Sequence, residues 1–333
     1  MEKNLSTDIN KNRYEWVDIA RGYCILCVML GHMEQEAGIL RDIVYSFHLP
    51  MFFMLSGFLF HPEKYELKVF VKKKIKGLLI PYFFMGSVII IVNWCFYYFG
   101  DIHALGRYIY ELVVQNRFHT IWYLTCLFCT EMIFYFIARY VTANRIKMGI
   151  LIVEIAIMGL VYYYKGGQPL PWNVDVCTTA LLFFYVGYMC QKIKLHVSPK
   201  YLVLSLIASC VCIYINLRFE GHGLEMFGCE YAIVPCTFIA SVSGAYIVYC
   251  ISNVENKLVS YIGKHSMVYF GWHQAIPMPA AEMIYNALGI FVNRTVMVTR
   301  ILYMVCTMVF TLLTLTLAQI GISHTRLKAG IGE

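Results

Sequence analysis

The chain has 333 residues, of which 59% are apolar or aromatic and only 14% charged, where a soluble domain carries about 25% charged. With a mean hydropathy of +0.62, that balance excludes an ordinary water-soluble enzyme. The net charge of +7 does not by itself indicate a nucleic-acid partner, because in a membrane protein the placement of Lys and Arg says more than their sum.

Crossing hydrocarbon takes about 20 helical residues. Apolar runs separated by polar or Gly- and Pro-containing segments predict ten spans: 17–37, 43–60, 78–99, 120–138, 148–164, 177–190, 201–217, 231–251, 267–288 and 295–320. The expected fold is all-α, a polytopic membrane protein with one domain over residues 1–333, a leader at 1–15 and a tail at 321–333. With leader and tail inside, inner segments hold nineteen of the 27 Lys and Arg and outer segments six, and Arg21 and Arg300 fall at or within the boundary. Both termini are therefore expected in the cytoplasm. The polar leader lacks the pattern of a cleaved signal, so the first span is expected to be retained and secretion is excluded.

The first span carries Asp18, Arg21 and His32. An ionisable side chain inside a span costs at least about 2.5–3.5 kcal/mol and usually faces a wet cavity or the bundle interior. Arg21 and His32 are eleven residues apart, which is three turns, about 16 Å of rise and within about 20° of one face. Asp18 is spaced to orient Arg21 by an i,i+3 ion pair. A guanidinium clamps phosphate bidentately, and an imidazole exchanges protons near neutral pH. One elongated ligand could touch both; a coenzyme A thioester fits, and a phospholipid or polyprenyl phosphate fits less well. Ordinary packing of a membrane histidine is the competing reading.

In the second span, His48 lies within about two turns of the depth of His32, and Ser56 and Gly57 permit a close helix contact. The segment KVFVKKKIKGLLIPYFF at 68–84 gathers Lys72, Lys73, Lys74 and Lys76. These suit an inner membrane flank and equally a grip on the phosphates of a nucleotide-bearing donor. On the outer side, His119, Trp122, Tyr123, Trp172 and Asp175 suit an aromatic belt, and also the stacking faces and hydrogen-bonding groups of a sugar cleft. The ninth span holds His273 with Pro277 and Pro279, where a broken helix would wall a cavity. Glu131, Glu154 and Glu282 are further acids within spans. The C-x-x-C pairs Cys24/Cys27 and Cys126/Cys129 lie in apolar helices with no second ligand pair nearby, so no metal is expected. Cys229 and Cys236 flank the outer end of a span and could pair.

Together these residues resemble the membrane acyltransferase family three, bacterial integral-membrane proteins that O-acylate cell-surface glycans. The resemblance is carried by WVDIARGYCILCVMLGH at 16–32, which fits an Arg-x10-His first-helix motif, and by FHLPMFFMLSGFLF at 47–60 followed by the basic segment into LLIPYFF at 78–84. It continues through HTIWYL at 119–124, LPWNVDVCTTALLFFYVGY at 170–188 and IGKHSMVYFGWHQ at 262–274. It implies an O-acyltransferase, above all an O-acetyltransferase, of the bacterial cytoplasmic membrane. Arg21 and His32 are then the essential pair, and cytoplasmic acyl-CoA (acetyl-CoA) is the co-substrate. Asp18 and the lysines 72, 73, 74 and 76 assist Arg21 in binding donor phosphates, and a glycan or glycolipid hydroxyl outside is the acceptor.

In that scheme His32 acts as general base or carries the acyl group itself. His48 and His273 are candidates to stabilise the oxyanion. With Ser56, His119, Trp122, Tyr123 and Asp175 they are the expected cavity or acceptor contacts. Membrane lipids are the other expected partners, nucleic acid is not, and the oligomeric state stays open. The rival reading is a transporter or flippase that uses the intramembrane acids as ion sites, against which stands the lack of visible inverted repeats. A sensor or scaffold without chemistry is the third, opposed by the lack of a soluble signalling module.

Overall fold

The computed structural model describes residues 14–115, 117–193, 195–290 and 296–332. The leader charges Lys3, Lys11 and Arg13 lie outside the described residues, as do Lys194, Arg294 and the side chain of Arg326. Apart from one isolated antiparallel bridge between Glu225 and Glu230, the regular structure among the described residues is helical. The helices are α1 (Glu15–Gly31), α2 (Glu34–Ala37), α3 (Ile39–Tyr45), α4 (His48–Phe58), α5 (Leu67–Lys74), α6 (Ile80–Tyr97), α7 (Ile102–Val114) and α8 (Trp122–Phe136). They continue with α9 (Arg145–Tyr164), α10 (Val174–Cys190), α11 (Pro199–Phe219), α12 (Val234–Ser252), α13 (Lys257–Lys264), α14 (Ser266–Trp272), α15 (Pro277–Ala287) and α16 (Met297–Ser323).

Seven of the ten apolar runs are continuous helices long and apolar enough to cross a membrane, the first being α5 and α6 joined through a π turn at Ile75–Leu79. The other three runs are helical but interrupted: 17–37 at His32, 43–60 between Tyr45 and His48, and 267–288 between Trp272 and Pro277. A side chain at Gly31 would run into the Tyr45 ring, so the end of α1 packs closely against α3. Pro277 opens α15 at the first-turn position that tolerates its missing N–H. Backbone bonds from Ile276 to the Trp272 carbonyl (3.0 Å) and from Met278 to the His273 carbonyl (3.1 Å) then satisfy the break.

The outer helices α9, α11 and α16 bury only 17%, 17% and 22% of their most apolar windows, whereas α8 and α10 bury 50% and 56%. An apolar exterior around a tightly packed centre is what lipid as solvent demands. The chain is an all-α, multi-pass membrane protein.

Two glycine-lined crossings position the elements that matter below. Gly22 on α1 abuts the Val259 carbonyl and Gly263 on α13 abuts the Asp18 carbonyl; Gly57 on α4 meets the Phe184 carbonyl and Gly187 on α10 the Met54 carbonyl. Backbone lies against backbone at all four positions, the small-residue packing by which membrane helices approach closely.

Candidate active site

His32 is the residue on which α1 stops, at φ −82° and ψ 0°, so it stays close to helical phase with Arg21. It lines a cavity of about 420 Å³ together with Tyr45, His48, His119, Trp122, Glu225 and Gln274. Arg21 lines a different cavity of about 270 Å³ together with Ser56, Tyr123, Lys264, His265 and Gln319. Within it Gln319 and His265 are hydrogen-bonded at 2.9 Å. Ile331 and Gly332 also line this cavity, so the C-terminal turn lies at the Arg21 end of the bundle.

The one cavity expected to join Arg21 and His32 is thus two, back to back. The same elements line both: Arg21 and Ile25 against Val28 and His32 on α1, Phe52 and Ser56 against His48 and Leu49 on α4, and Tyr123 against Trp122 on α8. Phe270 on α14 belongs to both walls. The rings of Phe52, Tyr123 and Phe270 close the gap, with centroids 5.8 Å (Phe52 to Tyr123), 5.4 Å (Tyr123 to Phe270) and 6.3 Å (Phe52 to Phe270) apart. The nearest lining residues, Ile25 and Val28 on α1 and Leu49 and Phe52 on α4, are three positions apart, about 4.5 Å of helical rise and less than one turn.

Hydrogen-bond geometry fixes what the histidines present. Nδ1–H of His48 donates to the Val44 carbonyl at 2.7 Å. Nδ1–H of His273 is shared between the carbonyls of Tyr269 (3.0 Å) and Phe270 (2.9 Å). A carbonyl only accepts, so each neutral ring carries its proton on Nδ1 and offers a lone pair at Nε2. That opposes the oxyanion role expected of both, which needs a donor. The lining carries donor groups at Gln274, Trp122 and Tyr45, while the Thr120 hydroxyl donates to the Phe270 carbonyl at 3.4 Å. His273 is fully buried and stands beside His32, ring centroids 5.1 Å apart.

The basic segment is arranged differently from expectation. Lys74 forms an ion pair of 2.6 Å with the buried Glu131, and Lys73 donates to the Tyr65 hydroxyl at 3.0 Å. Lys72 and Lys76 are exposed, and of this stretch Leu78, not the lysines, lines the Arg21 cavity. Of the acids that a transporter would need inside, Glu131 is held by Lys74, while Glu154 and Glu282 are exposed on their helices.

Asp175 pairs with Arg117 at 2.8 Å, both side chains nearly buried, and Arg117 also donates to the Phe227 carbonyl. The pair faces a neighbouring pocket of about 270 Å³, separate from the His32 cavity but sharing Phe227 with it. Cys229 is 3.3 Å from the Arg117 guanidinium and 3.6 Å from Asp175, and both it and Cys236 are free thiols. Every non-glycine residue with left-handed backbone among those described lies in the loops at this end or beside them, including Arg117, His119 and Trp172; such strain concentrates at functional sites. Burial holds the His119 imidazole below its ordinary range.

Of the residues singled out in the sequence, the structure brings His32, His48, His119 and Trp122 to one cavity and Arg21, Ser56 and Tyr123 to the other. Asp18 is buried on α1, a turn before Arg21. Sequence reasoning did not anticipate Lys264, His265, Gln274, Glu225 or Gln319. The first three lie in the segment 262–274 that carries part of the resemblance, and Gln319 is a lone amide in the last apolar run.

The family model of the acyltransferase 3 domain matches residues 14–318, nearly the whole chain. No curated protein and no solved structure matches it.

Proposed function

The chain belongs to the acyltransferase 3 family and is a membrane acyltransferase, and on that premise we propose that it moves an acyl group, acetyl foremost, from cytoplasmic acyl-CoA to a hydroxyl of a surface glycan or glycolipid. The observation that carries the reading is the pair of cavities on shared helices, a cation in one and an imidazole in the other, less than a turn apart.

Arg21 and Lys264 receive the donor's phosphates as charge-assisted pairs, with Lys72, Lys73 and Lys76 raising the local concentration of the polyanion. This is the cytoplasmic end by the distribution of positive charge. The pantetheine arm runs past Ser56 and Tyr123, and the thioester reaches His32 when the Phe270 ring swings aside. The acceptor hydroxyl enters the His32 cavity, and His32 Nε2 takes its proton as the oxygen attacks the thioester carbonyl. The Gln274 amide supplies the hydrogen bond to the oxyanion. Collapse breaks the C–S bond, the new ester leaves on the acceptor side, and the proton on His32 passes to the CoA thiolate. General-base action of this kind contributes about 10²–10⁴-fold.

The test uses full-length protein in liposomes with acetyl-CoA and candidate glycan acceptors. Free CoA should appear only when acceptor is present, His32→Ala should abolish it, and Arg21→Ala should raise the donor KM more than it lowers kcat. CoA release independent of His32, or lipid movement with no thioester supplied, would contradict the proposal.

A further inference from the structure

We propose that His273 is a positioning residue: its Nε2 lone pair accepts the Nδ1–H of His32 and so holds His32 in the one tautomer that leaves Nε2 free as the base. The inference rests on the reading of His32 as the general base.

Three observations converge. His32 lines its cavity while its Nδ1 is buried with no hydrogen-bond partner among the protein groups, so the nitrogen turned to the cavity is Nε2. His273 Nε2 is likewise buried and unpartnered, although His273 Nδ1–H is engaged by two carbonyls. The two rings stand 5.1 Å apart at a tilt of 46°, a spacing into which one nitrogen-to-nitrogen hydrogen bond of about 3 Å fits once the His32 ring turns.

The proton count then has one solution. His273 keeps its proton on Nδ1, because that nitrogen faces two carbonyl oxygens that can only accept, so its Nε2 can only accept. The matching donor is His32 Nδ1–H. A neutral imidazole carries one proton, which puts the His32 lone pair on Nε2, toward the cavity. When Nε2 takes the acceptor's proton, the resulting imidazolium keeps its Nδ1–H on His273, and the hydrogen bond strengthens as charge develops. His273 itself takes no proton. The carbonyl contacts cap the end of α14 at its break, and that structural task uses only Nδ1; the Nε2 lone pair is left for a second task.

The division between the two nitrogens supplies the variants. In His273→Asn an amide nitrogen can replace Nδ1 and keep the cap but offers nothing at the Nε2 position; in His273→Gln the amide oxygen reaches the Nε2 position as an acceptor. Removing a partner that orients a functional imidazole costs about 10–100-fold. H273N should therefore melt with the wild type yet lose kcat for transfer from acetyl-CoA by that factor, with donor KM unchanged. H273Q should retain most of kcat. A role confined to the cap reverses the order, and H273N with wild-type kcat would overturn the proposal.

A second measurement needs neither donor nor acceptor. Nitrogen-15 NMR of histidine-labelled full-length protein in phosphatidylethanolamine and phosphatidylglycerol liposomes, with His32 assigned by its loss in H32Q, reads the tautomer directly. The expected result is protonated Nδ1 and bare Nε2 on His32 in the wild type and H273Q, and loss of that bias in H273N. A wild-type His32 protonated on Nε2 overturns the inference. If the tautomer is as expected while acetyl-CoA is not turned over, it is the donor reading that fails and the inference stands.

Discussion

The crossing of α1 and α13 holds Arg21 and Lys264 at one cavity, and Gly263→Ala perturbs it most directly. A methyl at Gly263 would overlap the Asp18 carbonyl and come within 2.9 Å of the Gly22 nitrogen. All these atoms are backbone, so no rotamer change relieves the overlap, and the two helices must separate by about 1 Å or more. Overpacking of this kind costs about 1–3 kcal/mol, and a displacement of that size in a positioning element costs about 10²-fold in rate. Lys264 is the next residue, so the displacement falls on the donor side. Donor KM should rise, and kcat/KM for acetyl-CoA should fall by about 10²-fold, in liposomes where the protein still inserts. The control is Gly106→Ala on α7, where the added methyl meets nothing within 4 Å and better helix propensity adds about 0.5–1 kcal/mol. Wild-type donor kinetics in G263A, with G106A unchanged, would refute the assignment of this crossing to donor binding.

Opening the partition by Phe270→Ala should join the cavities and admit water to the thioester, so that CoA is released severalfold faster without acceptor; unchanged acceptor dependence would show that the ring does not separate them. Lys74→Met leaves Glu131, 4% exposed, without its cation, and should lower stability by about 3 kcal/mol. Lys72→Met should change stability by less than about 0.5 kcal/mol, the double variant Lys74→Met/Glu131→Gln should recover most of the loss, and equal melting shifts for the two single variants would refute the pairing. His119 is held below the ordinary imidazole range by burial, so from about pH 6.5 downward the unfolded chain binds the proton that the folded one refuses, and stability is full above that pH and falls below it. His119→Gln should flatten the loss of unfolding free energy with falling pH by up to about 1.4 kcal/mol per pH unit, and an unaltered slope would remove His119 from that loss.

Hydropathy alone located the seven helices long and apolar enough to span, because such a run has no other stable environment, but it passed over the shorter α7 and α13. It did not locate the interruptions at His32, between Tyr45 and His48, and after Trp272, since an average over a window is blind to a helix that stops inside it. Those interruptions deliver His32, His48 and Gln274 to one cavity. Spacing along α1 puts Arg21 and His32 near one face, yet it carries no information on the rings that three other elements place between them. The lysines illustrate a different limit. Their number was legible, but whether each faces a cavity depends on helix phase through the π turn at Ile75–Leu79 and on the pairing of Lys74 with Glu131 across 57 residues. Lys264, His265 and Gln319 meet Arg21 only through tertiary packing, which no local pattern encodes.

The most direct test is a cryo-EM map of the full-length protein in lipid with a non-hydrolysable acetyl-CoA analogue in which a methylene replaces the thioester sulfur. Threading of the donor predicts phosphate density at Arg21 and Lys264, the pantetheine arm passing Tyr123, the Phe270 ring displaced, and the acyl carbonyl within hydrogen-bonding reach of the His32 cavity. Phosphates bound away from Arg21, or an acyl end that stops short of Phe270 with the partition closed, would contradict it.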